Sequence, residues 1–324
     1  MINYPLKFQT IYKDKIWGGQ KIRTYLGKDF SPLLNCGETW EISGVKSDVS
    51  VVANGELAGE SLSSLLEKHK GDLAGDAVYH KFGKEFPLLI KYIDANDDLS
   101  IQVHPDDGLA RERHKSFGKT EMWYVIQADE GAKLISGFNQ QVNEDIYLEK
   151  LNSGKLNEIL NTEKVQDGDV FFLPAGRVHT IGKGLLIAEI QQTSDITYRI
   201  YDFDRVDDKG SKRELHTQEA LAALDYNVYD DYKSLYEKKK NETVHVVSCP
   251  YFTTNILDYT EPVSRDYSFD SFVIHVCVQG SYTLNYGSES LDVRMGDCIL
   301  IPATIKEVSL KTDTSFKILE TYIL

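Results

Sequence analysis

At residues 168–179 the chain reads GDVFFLPAGRVH, and at 296–303 it reads GDCILIPA. Both stretches put a Gly-Asp turn before four apolar residues and then Pro-Ala. Gly-Asp favours a tight turn, and the proline sets the exit of the strand. A single such match is what any turn–strand–turn unit can produce. Here each copy is flanked by further apolar strand segments, which predicts two related β-barrel halves. The copies then diverge: the first continues GRVHTIG and contains His179, whereas the second continues TIKEVSL with no histidine. If the unit carries a metal in the first half, the second half has lost it.

Outward from this pair, most of the chain reads as short strands between turn residues. Examples are SDVSVVAN (47–54), FPLLIKYI (86–93), SIQVH (100–104), EMWYVIQA (121–128), LLIAEIQQ (185–192) and SFVIHVCVQ (271–279). Helical spacing is confined to SLSSLLEKHKGDL (61–73) behind a serine cap, DIYLEKLNSGKLNEIL (145–160), and HTQEALAALDY (216–226) with Thr217 placed as a cap. The polar segment DDYKSLYEKKKNE (230–242) reads as an exposed linker. The expected organisation is therefore mostly β: a first domain over 1–205 with inserted helices, a helical linker over 206–242, and a second, metal-free domain over 243–324.

With 324 residues, 41% of them apolar, the chain has the make-up of a soluble globular protein and is long enough for two sizeable cores. No apolar run has membrane-spanning length, and the opening MINYPLKFQTIYKDK lacks the pattern of a secretory signal. Four cysteines, Cys36, Cys249, Cys277 and Cys298, show no CxxC spacing, which argues against a thiolate zinc site and fits a reducing cytoplasm. A net charge of −14 disfavours nucleic acid, and any anionic small molecule requires a locally basic site.

In SIQVHPDD (100–107), Gln102 and His104 alternate with Ile101 and Val103, so on a strand the two polar side chains share one face. Glu121 opens the strand EMWYVIQ, Lys119 two residues earlier shares its face if that strand begins early, and His179 follows the turn Pro174-Ala175-Gly176. Two imidazoles and a carboxylate suit a borderline divalent ion and leave a position open for water or substrate, and a Gln carbonyl adds a neutral donor. Taken singly, each of these residues also fits an ordinary hydrogen-bonded position. It is the set Gln102, His104, Glu121 and His179 that points to a metal. The other histidines read as structural, with His114 the one nearest a site entrance.

The segment from Gly168 to His179 matches the second cupin motif in full, and QVH at 102–104 resembles an altered first motif. In order, FPLLIKYIDANDDLSIQVHPDD, GKTEMWYVI, PAGRVHTIG and SDITYRIYDFDR resemble the type I mannose-6-phosphate isomerases, as do WGG (17–19) and ETWEISG (38–44). The resemblance runs from about Trp17 to Arg205, and the chain length fits the compact bacterial form. It implies two cupin-like jelly-roll barrels and one catalytic Zn2+ per chain at Gln102, His104, Glu121 and His179. It further implies an active-site arginine at Arg199, with Lys91, Lys119 and Asp195 at further polar positions of the active site. The implied substrate is a small-molecule sugar phosphate, mannose 6-phosphate. Phosphate-contacting residues of the large insertion found in longer members have no counterpart here.

The implied reaction moves a proton from C2 of the open-chain aldose to C1 through an enediol, with the metal as Lewis acid. The base must sit off the metal and reach both carbons. Asp195 is a candidate base, or it orients Arg199. Lys91 and Lys119 are candidates if desolvation lowers their pKa, and Lys91 alternates with apolar residues in a way that favours this. Asp202 and Asp204 beside Arg205 read as surface or hinge ion pairs. Two His and one carboxylate alone would permit an iron or manganese oxygenase, but Gln102 and a task without redox change argue for zinc. An isomerase of another aldose and a non-catalytic sugar-binding protein are further alternatives, which turnover and metal content separate.

Overall fold

Antiparallel sheets dominate the computed structural model, which describes residues 2–206 and 210–324. In the first half, six strands run in the order Ile11–Lys13, Glu38–Ile42, Leu88–Ala95, Leu185–Gln192, Glu121–Ala128, Val170–Leu173. A five-stranded sheet follows the order Tyr198–Tyr201, Ile101–Val103, His179–Ile181, Lys133–Phe138, Leu160–Lys164. The two sheets share a core that includes Ile93, Trp123, Val125, Leu134 and Ile181. The second half is a nine-stranded antiparallel assembly, which Leu6–Lys7 from the start of the chain joins beside Cys298–Ile301. Mostly-β architecture with a few short helices is therefore as expected from the sequence. Among the described residues no helix is long and apolar enough to cross a membrane.

Leu88–Ala95 is buried on both faces, and only Lys91 and Asp94 interrupt its apolar residues. Leu88, Ile90 and Tyr92 join Met122, Tyr124, Ala188 and Ile190 in a core that also holds Ile274, Val276, Leu300 and Leu319 of the second half. The intervening residues point the other way, into the first barrel. That parity sends Lys91, Glu121 and Glu189 inward together. Lys91 is consequently buried, rather than reaching past its strand to water.

The two Gly-Asp copies occupy equivalent places. Leu173 pairs with Glu121, and Ile301 pairs with Val273. Eleven residues after Gly168 stands His179, and the same step from Gly296 reaches Glu307, which is exposed. In the second barrel His275 takes the place of Trp123, and Glu320 that of Glu189. There His275, Tyr267, Tyr282 and Glu320 are fully buried and mutually hydrogen-bonded, and Arg265 forks onto Glu320 with Nε–Oε2 2.9 Å and Nη2–Oε1 2.6 Å. A satisfied polar plug fills the second barrel where the first has a cleft.

Burial alone would raise the Glu320 carboxyl, but His275 and Arg265 hold it down at about 2. Its folded value lies below the ordinary ~4.3 of glutamate, so its contribution is present above that pH and lost as pH falls toward 2. This single group should cost the protein roughly 2 kcal/mol between pH 7 and pH 3. Urea unfolding at pH 7, 5 and 3 should show a shallower acid loss in Glu320→Gln, from a lower starting stability. Parallel curves for variant and wild type would show that Glu320 does not titrate as described.

Several local expectations differ from the structure. Residues 47–54 form only isolated bridges, Val51 to Ser61 and Val52 to Phe8, flanked by hydrogen bonds from Gln9 N to the Val51 carbonyl and from Ala53 N to the Lys7 carbonyl. The helix expected over 145–160 is Glu144–Asn152, capped by Asn143, and ends before Gly154 at φ +71, after which Leu160–Lys164 is a strand. Thr217 is the first helical residue rather than the cap; His216 holds the cap position without a side-chain bond. Asp76–Phe82 and Asp107–His114 are further helices, the second capped by Asp106, which accepts from Leu109 N at 2.8 Å. Within 230–242, Tyr232 is buried and donates to the Phe138 carbonyl at 2.7 Å, so that segment is tied down.

Candidate metal centre

Gln102 sits in the middle of Ile101–Val103 and pairs in register with His179 on one neighbouring strand and Arg199 on the other. Residues paired across adjacent strands project to the same face, here the barrel interior. His104 follows directly, and its carbonyl accepts from Gly176 N at 2.9 Å, which ties the turn before His179 to the His104 backbone. Gly176 adopts φ +91, a backbone conformation costly for any residue with a Cβ. The two imidazole rings lie 4.8 Å apart, centroid to centroid.

One donor atom from each of His104, Glu121 and His179 lies within 4.8 Å of the other two. His104 Nε2 is 3.6 Å from Glu121 Oε2, and His179 Nε2 is 3.5 Å from Glu121 Oε1. The His104 Nδ1–H donates to the Ile196 carbonyl at 2.9 Å, and the His179 Nδ1–H to the Arg177 carbonyl at 2.8 Å. With the proton so held on Nδ1, each ring turns an Nε2 lone pair toward Glu121. Burial, reinforced by Lys119, keeps both rings neutral, and His179 is pushed down to about 3. Gln102 completes the set with its amide 3.2 Å from His179 Nε2, and turning that amide over offers a carbonyl oxygen instead.

Glu121 is fully buried, and its Oε1 has no hydrogen-bond partner. Burial, then the charge of Glu189, raises its carboxyl to about 7 despite Lys119. The Lys119 ammonium donates to His104 Nε2 at 3.0 Å and touches Glu121 Oε2, a positive charge among the grouped donors. Two neutral imidazoles and a carboxylate with an unspent oxygen, wrapped around a cation, fit a divalent metal ion.

From this centre a row of alternating charges crosses the barrel floor. Lys119 lies 3.9 Å from Glu189, Glu189 3.1 Å from Lys91, and Lys91 3.9 Å from Glu38. The Trp123 indole N–H donates to Glu189 Oε2 at 2.8 Å, and that of Trp40 to Glu38 Oε2 at 2.8 Å. Burial opposes the charge on Lys91, but Glu189 and Glu38 outweigh it and raise the ammonium above its ordinary value. The expectation that desolvation frees Lys91 to act as a base is thereby reversed. Burial would raise Glu189 too, but Lys119 and Lys91 hold it lowered. Glu189 and Glu38 escaped notice in the sequence. The signal was present: a single acidic residue inside LLIAEIQQ is the same anomaly that Gln102 and His104 present in SIQVH.

The charged row opens into a cleft of about 390 Å³ lined by Lys13, Trp40, Lys91, Lys119, Asp195 and Arg199 among others. Arg199 is half-buried; Nη1 donates to the Glu214 carbonyl at 2.9 Å and Nε has no partner. Asp195 is exposed at the rim and makes no ion pair with Arg199 among the described residues, so it does not orient that arginine. His114 donates to or accepts from the Tyr198 hydroxyl at 2.8 Å, beside a neighbouring depression that Asp195 also lines. Asp202, expected in a surface or hinge ion pair, does pair with Arg205 but is buried between it and Arg213; Asp204 pairs at the surface, with Lys212 at 2.7 Å.

Residues 6–131 match the family described as phosphomannose isomerase type I, catalytic domain, and residues 241–319 match the mannose-6-phosphate isomerase cupin domain. A mannose-6-phosphate isomerase of Streptococcus mutans is 39% identical over 306 residues, which cover 93% of each chain. The chain belongs to the type I mannose-6-phosphate isomerases. A second such enzyme, from Bacillus subtilis, is 34% identical and covers 96% of this chain and 97% of its own. The solved structure of a Bacillus subtilis mannose 6-phosphate isomerase superposes with a TM-score of 0.89 at 33% identity, covering 98% of this chain and 99% of that one. An Archaeoglobus fulgidus structure titled a putative mannosephosphate isomerase, 24% identical with a TM-score of 0.80, shares the fold. Membership in an isomerase family agrees with the resemblance carried by QVH, GKTEMWYVI and PAGRVH, and the match over 241–319 agrees with the cupin reading of the second half.

Proposed function

We propose that the protein interconverts mannose 6-phosphate and fructose 6-phosphate, with one zinc ion held by Gln102, His104, Glu121 and His179. The observation that carries this is the orientation of two neutral imidazoles, each fixed by an Nδ1–H bond to a carbonyl, toward the buried carboxylate of Glu121, whose Oε1, the oxygen nearer His179, has no hydrogen-bond partner. When bound, zinc supplies Lewis acidity for the carbonyl and hydroxyl oxygens of the open-chain sugar.

The chain's own residues divide the remaining work. Lys91 stays cationic between Glu189 and Glu38, and Lys119 is a cation lying against Glu121. Both therefore neutralise negative charge that develops on the sugar oxygens. Glu189 lies between the two ammonium groups and lines the cleft, its Oε1 3.1 Å from Lys91 and 3.9 Å from Lys119. It is the ionised carboxylate best suited to take the C2 proton and return it to C1 through the enediol. Arg199, one strand away from Gln102, holds the far side of the substrate, and Asp195 at the rim hydrogen-bonds sugar hydroxyls. The four cysteines carry free thiols, which supports a cytoplasmic place of action.

The test is formation of fructose 6-phosphate from mannose 6-phosphate before chelation, after it, and after zinc is added back. Activity should vanish with the chelator and return with zinc. A zinc-loaded protein that fails to turn over mannose 6-phosphate but isomerises another aldose phosphate would transfer the same site to a different sugar.

A further inference from the structure

Among the described residues, one end of the first barrel's cleft gathers Arg199 and Arg213, on the side of Gln102 away from His179. The in-register row His179, Gln102, Arg199 runs outward across three strands, and the segment carrying Arg213 is sutured to the last of them. Arg199 N donates to His216 Nδ1 at 3.2 Å, and His216 N to the Arg199 carbonyl at 2.7 Å. Arg213 lines the same cleft as Arg199 and Lys119. Its guanidinium reaches Asp202 through Nε at 2.7 Å and through Nη2, but Asp202 Oδ1 is shared with Arg205 Nη2 at 2.6 Å. One buried carboxylate thus serves two arginines.

The balance of charge distinguishes this end of the cleft. Lys13 has Asp48 to itself, and Lys15 has Glu38 at 3.4 Å. By contrast, among the described residues Arg205 and Arg213 share Asp202, Arg205 also has the exposed Asp97 at 3.6 Å, and Arg199 feels Asp202 and Glu214 only from beyond ion-pair distance. Arg199 makes no ion pair among the described residues, and its buried Nε is unpartnered. Burial first, and then the charge of Arg213, pushes the Arg199 guanidinium below its ordinary value, although Asp202 and Glu214 act the other way. Guanidinium groups with donors to spare, at the opening of a largely buried polar cleft, are suited to a phosphate because their planar fork matches its oxygens.

Building on the proposed reaction, we infer that Arg213, together with Arg199, forms the phosphate subsite of this chain and sets its preference for phosphorylated sugars. An open-chain sugar phosphate then spans the cleft, its carbonyl end at the grouped donors and its phosphate at the arginines. Arg213 exchanges its share of Asp202 for the phosphate, and Asp202 stays paired with Arg205, so no buried carboxylate is stranded. The subsite comes from the segment that follows the last strand of the first barrel. It requires no inserted domain.

The test is Arg213→Gln and the charge-keeping Arg213→Lys, with inorganic phosphate as the probe. Thermal unfolding confirms that both variants fold, as the retained Asp202–Arg205 pair leads one to expect. Calorimetric titration should show the dissociation constant for phosphate rising at least about tenfold in Arg213→Gln, with part of the affinity regained in Arg213→Lys. In turnover, KM for mannose 6-phosphate should rise more than kcat falls, and the ratio of kcat/KM for mannose 6-phosphate over mannose should drop by a similar factor. Equal phosphate affinity in wild type and Arg213→Gln overturns the assignment, as does a wild type that binds no phosphate. If wild type fails to turn over mannose 6-phosphate while Arg213→Gln still loses phosphate, the subsite stands and the proposed reaction falls.

Discussion

Replacing His179 with alanine is expected to strip the purified protein of zinc and of turnover together, and His104→Ala should do the same. Each variant removes one of only three strong donors, and Gln102 is too weak a ligand to compensate. The loss should go well beyond the roughly 10- to 100-fold that removing a hydrogen-bond partner of a metal ligand costs. The fold should survive. His179 is buried and its ring lies 5.4 Å from that of Trp123, so its deletion opens a small cavity costing about 1–3 kcal/mol. The core between the two halves does not involve it. Metal content by atomic absorption, alongside circular dichroism, separates loss of the site from loss of the fold. Full zinc retention in both variants would refute the ligand assignment.

Glu189→Gln should keep the zinc and lose the reaction. Its carboxylate contacts Lys91, Lys119 and the Trp123 indole, and forms no hydrogen bond or ion pair with His104, Glu121, His179 or Gln102. Gln preserves the shape and the acceptor for Trp123 but cannot take a proton from carbon. A fall in kcat of roughly 10²- to 10⁴-fold is expected, with KM changed far less. The same substitution takes away the nearest anion from the buried Lys91, leaving Glu38 at 3.9 Å as its remaining partner. Breaking a buried pair on one side costs roughly 3–5 kcal/mol, and the surviving Glu38 should keep the loss toward the lower end. Urea unfolding at pH 7 measures that part, and steady-state kinetics on zinc-loaded protein the other. If kcat stays within about threefold of wild type, the proton is carried by another group.

These two variants differ in how visible their residues were before the chain was folded. His104 and His179 announce themselves: one alternates with apolar residues on a strand, and the other sits at the end of a turn–strand–turn copy whose partner lacks a histidine. Glu189 lies 68 positions from Glu121 and 98 from Lys91, yet cross-strand pairing sets all three on one interior face. Helix ends and edge segments were the least readable. Residues 47–54 have strand composition but pair with their neighbours only through isolated bridges, and Gly154 stops a helix whose apolar spacing runs on past it.

By itself the sequence determined the number of β halves, the loss of the histidine from the second, the shared face of Gln102 and His104, and the neighbourhood of Lys119 and Glu121. Each follows from spacing along one short segment, because strand geometry alternates side chains with a fixed period. Only the tertiary structure decided that Lys91 is held charged, that Asp195 stands apart from Arg199, and that Asp202 is buried between two arginines. Those properties depend on which charges meet across strands and loops distant in sequence. In a buried interior a counter-charge a few ångströms away reverses what burial alone would do, and no local pattern encodes that distance.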